Sequence, residues 1–169
     1  FPATDSLLTM FVALEVMSLP LYIMVASARR RRDLSQEAAV KYFILGSFAS
    51  AFFLMGSALL YGFSGGSLRF SAIAGAIPAV AGMDWILLLG TFMVMMGLLF
   101  KVAAFPFHEW TPDVYTGAPT PVTGFMAAGV KVAAFGAMYR FYVSVAGHLK
   151  WDFAMILALI AAATIIFGT

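Results

Sequence analysis

Residues Asp84 to Phe107 read DWILLLGTFMVMMGLLFKVAAFPF, and this segment determines the class of structure. Between the two charged residues Asp84 and Lys101 the segment is apolar, apart from one threonine and two glycines. A helix needs about 20 apolar residues to cross the hydrocarbon core of a bilayer. The segment therefore predicts a transmembrane helix that carries one ammonium group near its end.

The composition extends this interpretation to the whole chain. Of the 169 residues, 63% are apolar and 11% are charged, whereas about 25% of the residues in soluble domains are charged. A soluble fold of this size would expose large apolar patches. The composition excludes an ordinary soluble enzyme and predicts an all-α, polytopic transmembrane helical bundle in a lipid bilayer. The net charge of +2 does not indicate a nucleic-acid partner, because most of the arginines lie in one run.

Apolar segments recur along the chain and predict a single transmembrane domain. We expect the spans at residues 4–28, 41–63, 84–107, 122–143 and 153–169. Residues 64–83 contain a Ser-Gly-Gly-Ser turn signal and an apolar piece too short to span, so we expect an extracytoplasmic loop with an interfacial or re-entrant piece. The chain begins with Phe1 and stops inside an apolar run, so we expect it to be a fragment of a longer protein.

The distribution of basic residues predicts the orientation. Arg29, Arg30, Arg31 and Arg32 lie together in the first loop, whereas the second loop holds only Arg69. Loops rich in Lys and Arg stay on the cytoplasmic side. The first loop is therefore expected to be cytoplasmic, or on the matrix side.

The residue inventory limits the chemistry of this chain. It contains no cysteine, so it holds no disulfide, no thiolate-ligated iron–sulfur cluster and no thiol catalyst. Two distant histidines do not predict a zinc site, and no nucleotide-binding glycine motif is present. We expect no cofactor and no metal on this chain, and any redox chemistry is assigned to partners.

Three ionisable residues fall inside the predicted spans, namely Glu15, Lys101 and Lys131. A charge at the centre of a bilayer costs at least ~2.5–3.5 kcal/mol on insertion scales, and burial favours the neutral form. An amine or carboxyl held there gains and loses protons readily, which indicates a proton pathway. The alternatives are a structural ion pair or side chains that reach the interface.

Pro106 predicts a break in the helix that carries Lys101. Proline lacks an N–H and its ring clashes with the carbonyl four residues earlier, here that of Val102. A broken helix would keep Lys101 within the membrane, beside free carbonyls that line a wet cavity. Histidine is a common proton carrier in proteins, so His108 either passes protons between Lys101 and the cytoplasmic face or acts as a capping or loop residue.

Small residues on the fourth span form a stripe at helical spacing. Gly129, Ala133 and Gly136 lie on one helix face, and such stripes allow close helix packing in membranes.

The segment Lys101 to Val122, KVAAFPFHEWTPDVYTGAPTPV, resembles the signature of the subunit N family of bacterial NADH–quinone oxidoreductase, or respiratory complex I. This family lies within the wider group of proton-translocating, antiporter-like membrane subunits. Residues 13–22 (ALEVMSLPLY) and 39–51 (AVKYFILGSFASA) agree with it as well.

The resemblance implies a fold of two inverted five-helix repeats, each with a broken helix. It implies that Glu15 is the pairing glutamate, Lys101 the lysine of the broken helix and Lys131 the next lysine of the hydrophilic axis. It further implies a bacterial inner-membrane location and contacts with other membrane subunits. FMN, iron–sulfur clusters and quinone are expected on those partner subunits.

Three other functions remain open on the sequence. The chain resembles subunits of cation/proton antiporters that have no redox partner. It also fits a structural spacer within the same complex. A related membrane oxidoreductase that uses ferredoxin, F420 or hydrogen as its electron source is the third alternative.

Overall fold

The computed structural model describes residues 1–28, 31–77, 84–149 and 152–168. Within these ranges the regular structure is helical, apart from one isolated antiparallel bridge between Ser6 and Arg69. The all-α prediction is confirmed. The helices are α1 (Leu7–Val25), α2 (Arg32–Phe63), α3 (Phe70–Ala76), α4 (Trp85–Val102), α5 (Trp110–Gly117), α6 (Thr120–Phe125), α7 (Lys131–Ser144) and α8 (Asp152–Gly168).

Four helical segments of the described chain are long and apolar enough to cross a membrane. Three are α1, α2 and α4. The fourth is the continuous helix Thr120–Ser144, in which a π-helical turn, Met126–Val130, joins α6 to α7. The apolar α8 is shorter, with 17 residues.

The helix ends differ from the predicted spans in two places. Helix α2 begins at Arg32 rather than near Lys41, because Ser35 and Ala38 in its polar first turns are buried against the rest of the chain. Helix α4 ends at Val102 rather than at Phe107. Two parts of the predictions lie outside the described residues. They are Arg29 and Arg30 of the arginine cluster, and residues 78–83 at the end of the expected re-entrant piece.

Helix α4 packs most closely on α2, and glycines set the spacing. A methyl group on Gly56 would lie 2.6 Å from the backbone oxygen of Gly90. On Gly97 it would lie 2.8 Å from Cβ of Phe53. The two backbones therefore approach through small residues, as in other membrane helix pairs.

The stripe predicted on the fourth span does not form such a contact. Gly129 is exposed, and a methyl group there would meet only the ring of Phe125 on the same helix. Gly136 lies against Pro2 of the N-terminal segment. Among the described residues no other helix meets these two glycines closely, so close helix packing along this stripe stays a prediction.

The predicted break occurs at the end of α4. Ala103 adopts a left-handed conformation with φ of 61°. Its N–H donates to the carbonyl of Phe100, and the N–H of Ala104 donates to that of Leu99, each at 3.1 Å. Because the ring of Pro106 excludes a helical carbonyl at Val102, the chain leaves the helix here and resumes helical structure only at Trp110.

Two contacts hold α5 beneath α2 and α4. The indole N–H of Trp110 donates to the carbonyl of Phe100 at 3.0 Å. Lys41 Nζ lies 2.6 Å from a carboxylate oxygen of Asp113 and 2.7 Å from one of Glu37. The Trp110 ring thereby lies against the rings of Phe100, the residue before Lys101, and of Tyr42.

Candidate functional site

Lys101 is the centre of the candidate site. Its side chain is 1% exposed. Its Nζ lies 5.2 Å from the ring centroid of Tyr42 and 5.6 Å from that of Tyr22. Within the described chain, Nζ forms no hydrogen bond and no ion pair. The ring centroid of Phe100 lies 5.9 Å away. The ammonium group is therefore surrounded by three aromatic rings, which attract cations through their quadrupoles.

Two of these rings form a fixed cage, called here the tyrosine cage (Tyr22 and Tyr42). Tyr22 meets Tyr42 edge to face with centroids 4.7 Å apart. Tyr42 stacks on Trp110 at 4.8 Å. Helices α1 and α2 each contribute one ring of the cage, and Trp110 of α5 supports Tyr42, so the position of Lys101 depends on how all three helices pack.

Glu15 interacts with Lys101 at a distance. The Ser50 hydroxyl donates a short hydrogen bond to the half-buried carboxylate of Glu15. Glu15 lies about two turns, or roughly 10 Å along the α1 axis, from Tyr22. Its charge still acts electrostatically on Lys101. The direct hydrogen-bond partner of the carboxylate is thus a serine.

Lys131 begins α7 immediately after the π-helical turn Met126–Val130. Its side chain is half-buried, and Nζ lies 5.7 Å from the ring centroid of Tyr115 on α5. π-Turns inside α-helices occur often at functional sites, because they offset the helix and loosen its hydrogen-bond ladder. The π-turn therefore sets the direction from which Lys131 faces α5.

His108 lies in the connection between α4 and α5. Its ring packs against Phe105, with centroids 5.5 Å apart. Its Nδ1 is buried, with no hydrogen-bond partner among the described residues. The contacts of His108 are with Phe105 rather than with Lys101, so a relay through His108 stays a prediction.

Four residues of the site were not predicted from the sequence, namely Tyr22, Tyr42, Gly46 and Ser50. The signal for them was present as helical spacing. Glu15, Ser18 and Tyr22 follow one face of α1, and Tyr42, Gly46 and Ser50 follow one face of α2. Polar residues at intervals of three and four on two apolar helices indicate a shared polar seam.

The site holds a buried amine among aromatic rings and a half-buried carboxylate that accepts a hydrogen bond from a serine hydroxyl. Such groups bind and release protons, and burial makes their charge sensitive to any neighbouring charge. Among the described residues, no group of three His, Cys, Asp or Glu side chains is placed to hold a metal ion. The chemistry that the geometry supports is proton binding and transfer.

Comparisons with known proteins agree with this class of helical membrane protein. The family model described as "NADH:quinone oxidoreductase/Mrp antiporter, TM" matches residues 4–169. A curated protein of Beutenbergia cavernae named NADH-quinone oxidoreductase subunit N is 57% identical over 100% of this chain and 32% of its own length. The chain therefore belongs to the NADH:quinone oxidoreductase/Mrp antiporter transmembrane family, which confirms the resemblance seen in the sequence.

Two solved structures share the fold. Respiratory complex I from Thermus thermophilus with bound aureothin matches with a TM-score of 0.69 and 50% identity, over 82% of this chain and 30% of that chain. The Mrp complex from Dietzia sp. matches with a TM-score of 0.69 and 29% identity, over 82% of this chain and 26% of that chain. The chain spans about a third of the length of the curated relatives that it matches.

Proposed function

We propose that this chain is the proton-translocating core of a membrane subunit of NADH:quinone oxidoreductase. In this account Glu15, Lys101 and Lys131 carry the proton pathway, and quinone reduction in other subunits drives it. The identity to subunit N relatives supports this proposal over an unrelated transporter.

One observation carries the proposal: Lys101 is 1% exposed, and within the described residues its Nζ has no hydrogen-bond partner and lies near aromatic rings. The attraction of Glu15 favours a proton on Lys101, whereas burial disfavours it. When a conformational change weakens that attraction, Lys101 releases its proton toward Lys131. The site therefore converts a change in local charge into the movement of one proton.

The proposal extends to the surroundings of the chain. We expect it in a bacterial inner membrane, in contact with other membrane subunits of the complex. FMN, iron–sulfur clusters and quinone would belong to partner subunits, so the chain acts as the translocase part of an enzyme and performs no redox step. His108 is retained as a proposed relay to the cytoplasmic face.

A subunit of a cation/proton antiporter is the second candidate, favoured by the shared fold with the Dietzia Mrp complex. The two candidates differ in their partners and in their ion requirement. An oxidoreductase subunit works with a flavin- and iron–sulfur-containing arm, whereas an antiporter of this kind has no redox partner.

The test is to purify the full-length protein from its native membrane through an affinity tag. We expect flavin, iron and NADH-oxidising activity to co-purify, and proton uptake by the native vesicles to follow NADH addition without a sodium requirement. Proton movement that needs sodium, in a purified assembly without flavin or iron, would establish the antiporter instead.

A further inference from the structure

Several buried polar atoms near the site have no hydrogen-bond partner in the described part of the chain. They include Nζ of Lys101 and the hydroxyl oxygens of Tyr22, Tyr42 and Tyr115. Tyr42 is 0% and Tyr22 7% exposed. Buried polar groups in native proteins almost always have a partner, either protein or ordered water. The presence of several such atoms near the two candidate lysines therefore requires an explanation.

A series of contacts between aromatic rings runs from one candidate lysine to the other. Tyr42 lies at 5.2 Å from Lys101 Nζ and stacks on Trp110 at 4.8 Å. The ring of Tyr115 lies 6.0 Å from the ring of Trp110, measured between their centroids. Lys131 Nζ lies 5.7 Å from the Tyr115 ring. Successive ring contacts through Tyr42, Trp110 and Tyr115 therefore connect Lys101 to Lys131.

The hydroxyl of Tyr115 is a neutral group at working pH. Partial burial raises the pKa of the Tyr115 hydroxyl, so it keeps its proton at working pH and remains a donor. A neutral phenol both donates and accepts a hydrogen bond, and this is the property that a water-linked proton path needs.

We propose that the hydroxyls of Tyr42 and Tyr115 bind ordered water molecules that connect Lys101 to Lys131 for proton transfer. This inference rests on the proposed function and assigns to two tyrosines the link between its two lysines. An internal water typically makes about three hydrogen bonds to polar groups. The unpartnered hydroxyls and Lys101 Nζ supply these groups in otherwise apolar surroundings.

The transfer balances without any further reactant. One proton leaves the Lys101 ammonium, and one proton arrives on the neutral amine of Lys131. Each water or tyrosine hydroxyl between them accepts one proton and donates another, and so ends unchanged. No electron moves along the path, and the indole of Trp110, whose N–H donates to the carbonyl of Phe100, takes no part in the transfer.

The test uses the full-length subunit in its assembled complex, reconstituted into vesicles. The variants are Tyr42→Phe, Tyr115→Phe and their combination, each of which keeps the ring and removes the hydroxyl. The control is Tyr139→Phe, whose residue is 71% exposed. NADH-driven proton uptake is measured in H₂O and in D₂O, and NADH oxidation by an artificial electron acceptor reports assembly.

We expect each single variant to slow proton uptake roughly three- to tenfold, because one hydrogen-bonding group is lost. We also expect each variant to increase the solvent isotope effect on proton uptake. A purely structural role would leave the isotope effect unchanged. Lys101→Ala distinguishes a failure of the tyrosine path from a failure of the proposed function. Normal uptake in the double tyrosine variant, with uptake abolished in Lys101→Ala, would refute the tyrosine path and keep the proposed function. Normal uptake in Lys101→Ala would refute both.

Discussion

The Nζ of Lys101 lies 5.2 Å from the centre of the Tyr42 ring, whereas the carboxylate of Glu15 is hydrogen-bonded to Ser50. The nearest stabilisation of this buried ammonium is therefore the face of an aromatic ring. Cation–π contacts of this kind contribute about 0.5–2 kcal/mol. The ring of Tyr42, more than its hydroxyl, is expected to determine the stability of the site.

This relationship predicts different effects for two substitutions at one position. Tyr42→Leu removes the cation–π contact and the stack on Trp110, and should lower the stability of the subunit by about 2–4 kcal/mol. Tyr42→Phe keeps both ring contacts and should cost less than about 1.5 kcal/mol. Heat-induced loss of the subunit from the purified complex measures both, with Tyr61→Leu on the exposed face of α2 as the control. Equal melting of the two Tyr42 variants would contradict the cage.

Gly46 leaves the space that the Tyr22 hydroxyl occupies. A methyl group on Gly46 would lie 2.2 Å from the Tyr22 hydroxyl oxygen and 3.0 Å from Cζ. Gly46→Ala should therefore displace Tyr22 from Lys101 and reduce both stability and proton uptake, with a stability loss of about 1–3 kcal/mol.

Removal of the hydroxyl should relieve this clash. Tyr22→Phe combined with Gly46→Ala is expected to recover most of the lost stability, because the closest atom is then absent. Gly62→Ala is the matched control on the same helix, since a methyl group there meets no atom within 4 Å. A double variant no more stable than Gly46→Ala alone would show that Tyr22 is not the cause.

Ala103 ends α4 in a conformation that L-residues adopt at a cost. Its φ of 61° lies in the left-handed region, where a Cβ costs about 1–2 kcal/mol and glycine carries no such penalty. Ala103→Gly should be neutral or stabilise the subunit by up to about 1 kcal/mol. Ala103→Val should destabilise it, because a β-branched residue is strongly disfavoured there. The readout is the melting temperature of each variant. We expect the glycine variant to melt highest or together with the unmodified protein, and the valine variant to melt lowest. The reverse order would exclude a left-handed helix end.

The spacing of α2 and α4 depends on Gly56. A methyl group there would lie 2.6 Å from the carbonyl oxygen of Gly90 and 2.7 Å from the N of Val94. Because both neighbours are backbone atoms, Gly56→Ala must separate the helices, at a cost of about 1–3 kcal/mol or more. Gly124→Ala, which meets no atom within 4 Å, is the control for assembly yield. Comparable yields from the two variants would refute this close contact.

The sequence was sufficient to predict the apolar helices and the break before Pro106, because length, hydropathy and the missing proline N–H act locally. It was also sufficient to single out Lys101, since an ammonium inside an apolar helix is costly wherever the helix packs. It did not predict the tyrosine cage or the contact of Ser50 with Glu15. Those contacts depend on the register of α1 against α2, and many registers are compatible with two apolar helices.

The stripe on the fourth span shows the same limit. Gly129, Ala133 and Gly136 share a face by spacing, yet close packing occurs at Gly56 and Gly90. A small-residue stripe predicts that a helix can pack closely, and only the tertiary arrangement determines which stripe meets a neighbour.

The most direct test of the central claim is proton uptake per NADH oxidised. It is measured in vesicles that carry the assembled complex with Lys101→Ala or Glu15→Ala in the full-length subunit. Arg32→Ala on the exposed start of α2 is the control. We expect the proton uptake per NADH to be at least about tenfold lower in Lys101→Ala, clearly reduced in Glu15→Ala and normal in Arg32→Ala. Uptake at the unmodified level in both the Lys101 and Glu15 variants, with assembly intact, would contradict the claim that these buried groups carry protons.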